Sequence, residues 1–231
     1  MGVRAAFFDV GDTLVEHWLT GEDLTRVLRK DLVAAFGERE WYDALIAADI
    51  RPADGEPHRQ ETNRWYEQWF AAQGVVRDVD IDRLRATFAG PIDLVSTPVP
   101  GAADAVRWCK AQGLRVVLVT NTLSRGDAEV LRDWTRAGLA DVIDAVVSSH
   151  SAGWEKPHPE IYRRALDLAA VEPREAFMVG DDPVCDVRGA QALGLRAVLR
   201  RTARRRLTDD IRPDATIERL DELADVVRPW L

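Results

Sequence analysis

Acidic, hydroxyl and ammonium side chains recur in this sequence at the ends of short apolar runs. Asp9 closes the run Ala5-Ala6-Phe7-Phe8 and leads into Val10-Gly11-Asp12-Thr13-Leu14. Thr120 and Asn121 end a second run, Leu114-Arg115-Val116-Val117-Leu118-Val119. Lys156 stands before Pro157, and Asp181 and Asp182 follow Gly180, with Asp186 five residues beyond Asp181. Carboxylates gathered from distant stretches repel one another unless a cation joins them. Only three of the 31 basic residues are lysines, Lys30, Lys110 and Lys156. A lysine at 156 therefore fits a demand for a compact point charge rather than a planar fork.

These residues need elements to bring them together. Residues 3–10, 114–120, 145–148, 176–179 and 196–199 read as buried strands. Residues 102–111, 128–137, 160–168, 190–193 and 220–227 read as helices. Strands alternating with helices predict an α/β, doubly wound parallel sheet covered on both faces. Ligands of such sheets bind outside the carboxyl ends of the strands, which is where the residues above lie. One block breaks the alternation. Leu24, Val27, Leu28, Leu32 and Phe36 recur at helical spacing, as do Trp65, Trp69 and Phe70, then Leu84 and Phe88. The expected organisation is a core of residues 1–15 and 97–231, interrupted by a small α-helical cap of residues 16–96.

Composition narrows the function class. A formal charge of -8 argues against a nucleic-acid partner. The one basic run, Ala203-Arg204-Arg205-Arg206, reads as a solvated loop. No apolar run reaches the roughly 18–20 residues of a membrane helix, and a first strand starting so near Met1 leaves no room for a targeting segment. Two cysteines, Cys109 and Cys185, are too few for a disulfide framework and suit the cytoplasm. Cys185 reads as a small buried residue rather than a nucleophile.

The four segments, in this order, resemble the four motifs of the haloacid dehalogenase superfamily, and the resemblance covers the whole chain, the place of the inserted cap included. It implies a Rossmann-like core and a magnesium-dependent phosphatase of small phosphorylated metabolites. The sequence itself leaves open whether the chain is a monomer or a homodimer. Asp9 matches the nucleophile that forms an aspartyl-phosphate. Thr120 and Asn121 match the phosphate-binding residues, and Lys156 matches the lysine that neutralises nucleophile and transferring group. Asp9, the Gly11 backbone carbonyl and Asp181 match the Mg2+ ligands, with Asp182 and Asp186 in support.

One departure stands out. Phosphatases of this family carry an acid/base aspartate two residues after the nucleophile, and here that residue is Gly11. Asp12 is its neighbour, but adjacent side chains of an extended segment point apart. His17 or Glu16 is a candidate proton source, although His17 otherwise reads as an ordinary cap histidine. A 2-haloacid dehalogenase also lacks this aspartate, but Asp181 argues for metal chemistry. A phosphonoacetaldehyde-type hydrolase needs a cap lysine, and Lys30 reads as part of a solvated helix face. A non-catalytic binding module on the same fold is the alternative of another class. Trp18, Trp41, Trp65 and Trp69 read as cap core rather than a substrate platform.

Overall fold

The computed structural model describes residues 2–17, 21–48, 59–76, 78–88, 96–122, 125–136, 138–203 and 205–231. The chain opens with β1 (Ala5–Phe8) and β2 (Val15–His17), then runs through α1 (Gly21–Phe36), α2 (Tyr42–Ala47), α3 (Arg59–Ala72) and α4 (Ile81–Phe88). It returns through β3 (Ser96–Pro98), α5 (Ala102–Ala111), β4 (Arg115–Thr120), α6 (Asp127–Arg136), β5 (Ala145–Ser148), α7 (Ser149–Ala152) and α8 (Pro159–Ala169). β6 (Ala176–Gly180), a π-helical segment (Pro183–Arg188), α9 (Gly189–Gln191), β7 (Arg196–Arg200), β8 (Ala215–Ile217) and α10 (Leu223–Val227) complete it.

Six strands form one parallel sheet in the order β5-β4-β1-β6-β7-β8. Strands β1 and β6 are buried along their whole length. Both faces are covered, so these strands are apolar at every position rather than alternating with polar residues. The pleat divides them between two cores. Ala6, Phe8, Val116, Leu118, Phe177 and Val179 pack with Val106, Trp134 and Leu223 on one side. Ala5, Phe7, Val117, Val119 and Met178 pack with Ile161, Tyr162 and Ala165 on the other. Strand β1 lies between β4 and β6 in matched register, Phe8 opposite Leu118 and Val179. From β1 the chain order runs outward in both directions, so the ligand crevice falls at its carboxyl end.

Between β2 and β3 the described residues form four helices with an apolar cluster of their own, including Leu32, Tyr42, Leu45, Tyr66, Phe70 and Leu84. Trp41 and Trp69 pack against that cluster, as expected of helical core aromatics. Trp65 is half-buried, and Trp18 lies outside the described residues. Lys30 is exposed on α1, a solvated position as the sequence suggested. No described helix is long and apolar enough to cross a membrane.

The structure corrects some boundaries. The ends of the helical block, expected from residue 16, instead form an antiparallel ribbon in which Val15 pairs with Pro98 and His17 with Ser96. Three residues are too few to show strand periodicity. Strand β8 escaped notice for the same reason. The helix expected at 190–193 is preceded by the π-helical turn at Pro183–Arg188.

Asp144 ties this sheet to α5. Its carboxylate accepts hydrogen bonds from Lys110 Nζ at 2.6 and 2.7 Å, Arg115 Nη1 at 2.9 Å and the Val116 N–H at 2.8 Å. Burial pushes its pKa up, but the Lys110 and Val116 hydrogen bonds and the charge of Arg115 hold it below the ordinary value. A depressed folded pKa gives stability that is present above the unfolded pKa, about 4, and lost as pH falls through the folded one. Asp144→Ala should therefore cost about 1.5–3 kcal/mol near pH 7. Urea melts should show the two proteins converging as pH drops below about 4.

Candidate active site

The crevice is built on consecutive residues at three strand ends. Asp9 follows β1 directly, and its N–H donates to Val179 O at 2.9 Å, continuing the sheet by one residue. Thr120 ends β4 and Gly180 ends β6. The chain then turns sharply over residues 10–15, where Asp12 adopts φ 53° and its N–H donates to Val15 O at 2.7 Å. Gly11 lies in this turn, bridged to Val15.

Lys156 enters from the β5–α8 connection and is 2% exposed. Its Nζ donates to Asp9 Oδ1 at 2.7 Å, Asp186 Oδ1 at 2.7 Å and Val119 O at 2.9 Å. Burial by itself lowers an ammonium pKa, but the charges of Asp186 and Asp9 outweigh it and hold Lys156 well above its ordinary value. It is a fixed cation. Asp186 is 1% exposed, and its Oδ2 accepts the Asp182 N–H at 3.0 Å. Both Asp186 oxygens are thus committed, which makes it a support for the lysine.

Asp181 is placed differently. It is 5% exposed, Thr13 Oγ1 donates to its Oδ1 at 3.5 Å, and its Oδ2 is buried with no hydrogen-bond donor. Burial and the neighbouring charges of Asp9 and Asp12 push its pKa up to about 7. An orphaned buried carboxylate oxygen is costly. Among the described residues, Asp9, Asp181 and Asp186 each bring one oxygen within 4.8 Å of the others. Oxygen-only donors around an unsatisfied oxygen suit magnesium, so the residues present fit that ion. Asp182 is the weaker ligand candidate, since its Oδ1 accepts the Val184 and Cys185 N–H groups and caps the π-helical segment.

Asn121 takes a part that the sequence did not reveal. Its Oδ1 accepts the Lys156 N–H at 2.7 Å and its Nδ2 donates to Lys156 O at 3.2 Å. The side chain clamps the lysine's backbone, which leaves Asn121 its main chain and the second N–H of its amide for a phosphate. Thr120 is 5% exposed, and its hydroxyl donates to Asn121 O at a loose 3.3 Å. Tyr162, fully buried, donates its hydroxyl to Cys185 O, and Cys185 Sγ donates to Lys156 O at 3.4 Å. Cys185 is buried, unbridged and structural, as expected.

Further residues escaped the sequence reading. Arg200, 8% exposed, donates to Asp12 O and pairs with Glu16 at 3.3 Å, so it holds the turn after β1. Glu16 is therefore a salt-bridge partner at the edge of the site. The His17 side chain and Arg204 lie outside the described residues. Arg205, from the basic run, reaches Asp182 Oδ2 at 3.1 Å and Asp181 Oδ2 at 4.0 Å. A buried Arg with structural work to do, and an exposed one folded back over acids, share no periodic signal.

Gly180 makes the close approach possible. A Cβ there would lie 2.1 Å from Asp186 Cγ and Oδ2. Gly180→Ala should force Asp186 aside, at about 1–3 kcal/mol of stability. The resulting shift of Lys156 should cost up to about 10²-fold in kcat. Denaturant melts and steady-state rates read the two effects; a variant as stable and as fast as wild type would mean that Asp186 can yield without consequence.

Comparison with known proteins agrees with this geometry. The chain is 33% identical over 213 residues to haloacid dehalogenase-like hydrolase domain-containing protein 3 of Bos taurus, covering 85% of this chain and 81% of that protein. Matches to the human, mouse and Xenopus laevis proteins of that name span under half of their lengths. Glyceraldehyde 3-phosphate phosphatase of Pyrococcus furiosus is 34% identical over 211 residues, 85% of this chain and 80% of that protein. The crystal structure of a 2-haloacid dehalogenase from Pseudomonas syringae shares the fold, with TM-score 0.70 and 22% identity over 99% of this chain and 100% of that one. The family model for haloacid dehalogenase-like hydrolases matches residues 3–194. The chain belongs to the haloacid dehalogenase-like hydrolase family.

Proposed function

We propose that this hydrolase is a magnesium-dependent phosphatase of a small phosphorylated metabolite, with Asp9 as its nucleophile. The observation that carries the reading is the orphaned Asp181 oxygen beside the Asp9–Lys156 pair. A haloacid dehalogenase needs no such acidic partner for its nucleophile. The phosphatase names of relatives, including that of Pyrococcus furiosus and phosphoserine phosphatase of Thermus thermophilus, favour the same class.

In this reading Asp9, the Gly11 carbonyl and Asp181 would hold the ion, which would supply positive charge to offset that of a phosphoryl group. A carboxylate oxygen of Asp9 forms a bond to phosphorus as the bond to the leaving oxygen breaks. The Thr120 hydroxyl and the Asn121 main chain hold the phosphoryl group. Water then attacks phosphorus, the acyl phosphate opens, and Asp9 is regenerated. Lys156, paired with Asp9 at 2.7 Å, offsets the negative charge that the phosphoryl group brings. We further read residues 1–15 and 97–231 as the catalytic core and residues 16–96 as a helical cap. The β2–β3 ribbon, where the chain leaves and returns side by side, and the separate apolar cluster of α1–α4 support that division.

The leaving oxygen must gain a proton, and Gly11 has no side chain to give one. Glu16 is held by Arg200, so substrates whose leaving group needs little protonation should be turned over best. Gly11→Asp should raise turnover of alkyl phosphates by about 10²-fold and that of p-nitrophenyl phosphate much less, measured as kcat on both. Equal gains on both would mean that acid catalysis is not what glycine removes.

The reading itself is tested with p-nitrophenyl phosphate, magnesium and EDTA. Turnover with magnesium that EDTA abolishes is expected. Chloride release from 2-chloropropionate without metal would replace this reading by a dehalogenase, and inactivity on a panel of phosphorylated metabolites would favour a binding module.

A further inference from the structure

The basic run after β7 is the feature that the catalytic reading leaves over. Five of residues 200–206 are arginines, in a chain of formal charge -8. Successive strand residues point to opposite faces, and the end of β7 divides its side chains in this way. Arg200 turns to the Asp12 carbonyl and Glu16. Leu199 and Arg201, two residues apart, line a cavity of about 300 Å³ together with Thr202 and Arg206. Asp181 lines the same cavity, and one of its oxygens lies within 4.8 Å of one of Asp9. The space therefore runs from the basic loop to the edge of the reacting centre.

The basic end of this cavity is not closed by the protein itself. Arg205 is committed to Asp182 at 3.1 Å, but neither Arg201 nor Arg206 has an acidic partner among the described residues. The Thr202 hydroxyl is buried without a hydrogen-bond partner. Two guanidiniums and one hydroxyl around a single cavity thus supply donors that the protein leaves without acceptors.

We propose that this cavity is the subsite for a second anionic group of the substrate, so that the enzyme acts on small phosphorylated metabolites that also carry a carboxylate or a further phosphate. This rests on the phosphatase reading above and narrows its substrate class. Guanidinium groups take carboxylates and phosphates alike through paired, charge-assisted hydrogen bonds. A patch of positive charge on an otherwise acidic protein also raises the local concentration of anions. Asp181 opposes such a group only while its charge is bare, and in the reading above that charge is taken up by the ion. A space of about 300 Å³ is at the lower end of the range for ligand pockets. It admits an anionic group on a few carbons, and the scissile phosphate is then left at Asp9.

The test is competition against p-nitrophenyl phosphate hydrolysis by the full chain at fixed free magnesium, which gives an inhibition constant for a compound whether or not it is itself hydrolysed. Two pairs differ by one anionic group: glycerol 3-phosphate against 3-phosphoglycerate for a carboxylate, and fructose 6-phosphate against fructose 1,6-bisphosphate for a phosphate. In wild type the member with the extra anion should bind about tenfold more tightly in at least one pair, the scale of one hydrogen bond to a charged group. The pair that shows it identifies the anion. In Arg201→Gln/Arg206→Gln the ratio within that pair should fall to near one, and taking the ratio within each protein cancels any general change in the site. Arg132→Gln/Arg164→Gln removes the same charge from exposed positions on α6 and α8 and should keep the wild-type ratio. No preference in either pair, a preference that survives in Arg201→Gln/Arg206→Gln, or one lost equally in Arg132→Gln/Arg164→Gln overturns the proposal and leaves the phosphatase standing. No hydrolysis of p-nitrophenyl phosphate by wild type overturns both.

Discussion

Asp9→Asn is expected to lower phosphatase turnover by at least about 10⁴-fold, the scale seen when a covalent nucleophile is removed rather than a supporting contact. The amide is nearly the same size as the carboxylate, so the crevice keeps its shape. Lys156 still has Asp186 at 2.7 Å and Val119 O at 2.9 Å, and the variant should fold. Two measurements separate the chemistry from collapse. Acid-quenched wild type should carry one phosphoryl group on the peptide that contains Asp9, and the variant none. The urea midpoint of the variant should stay close to that of wild type. A variant that still turns over substrate at more than a hundredth of the wild-type rate would move the nucleophile elsewhere.

Lys156→Ala should cost about 2–4 kcal/mol in transition-state stabilisation, read as kcat/KM, by analogy with loss of one preorganised electrostatic donor. It should also cost about 3–5 kcal/mol of stability, because removing one member of a buried ion cluster leaves the other charges uncompensated. Asp9 and Asp186 would then face each other without the cation, and burial already holds the pKa of Asp186 up to about 7. Lys156→Met preserves the apolar stem and should recover part of the stability but none of the rate. Wild-type rates in either variant would remove Lys156 from the chemistry.

The sheet was legible because its central strands, β1 and β6, carry no polar side chain, the mark of strands covered on both faces. Runs such as Val116–Val119 can hardly lie anywhere else. The convergence of Asp9, Thr120 and Asp181 followed from the rule that ligands sit at strand ends, once the runs were recognised. What escaped was everything made by contacts between loops. Asn121 reads as a phosphate contact in the sequence, and nothing there shows that its amide also grips the backbone of a residue 35 positions away. Thr13 was quoted as part of a motif, and its hydroxyl reaches Asp181 across 168 positions. Arg205 looked like one charge in a solvated run, and Arg200 like a strand-end residue. Such contacts depend on how a loop closes, which neither propensity nor periodicity encodes. The ribbon of β2 and β3 was missed because three residues cannot display a repeat.

The ammonium at position 156 also has a simple inventory. A primary ammonium carries three hydrogens, and here two carboxylates and one carbonyl take all three. None is spare for an arriving guest. An incoming anion must either evict one of these partners or feel the lysine as a field alone, with no directional bond between them. Recognition at this position is then tolerant of where the guest's oxygens point, and selectivity has to be exercised by walls that can tell one shape from another.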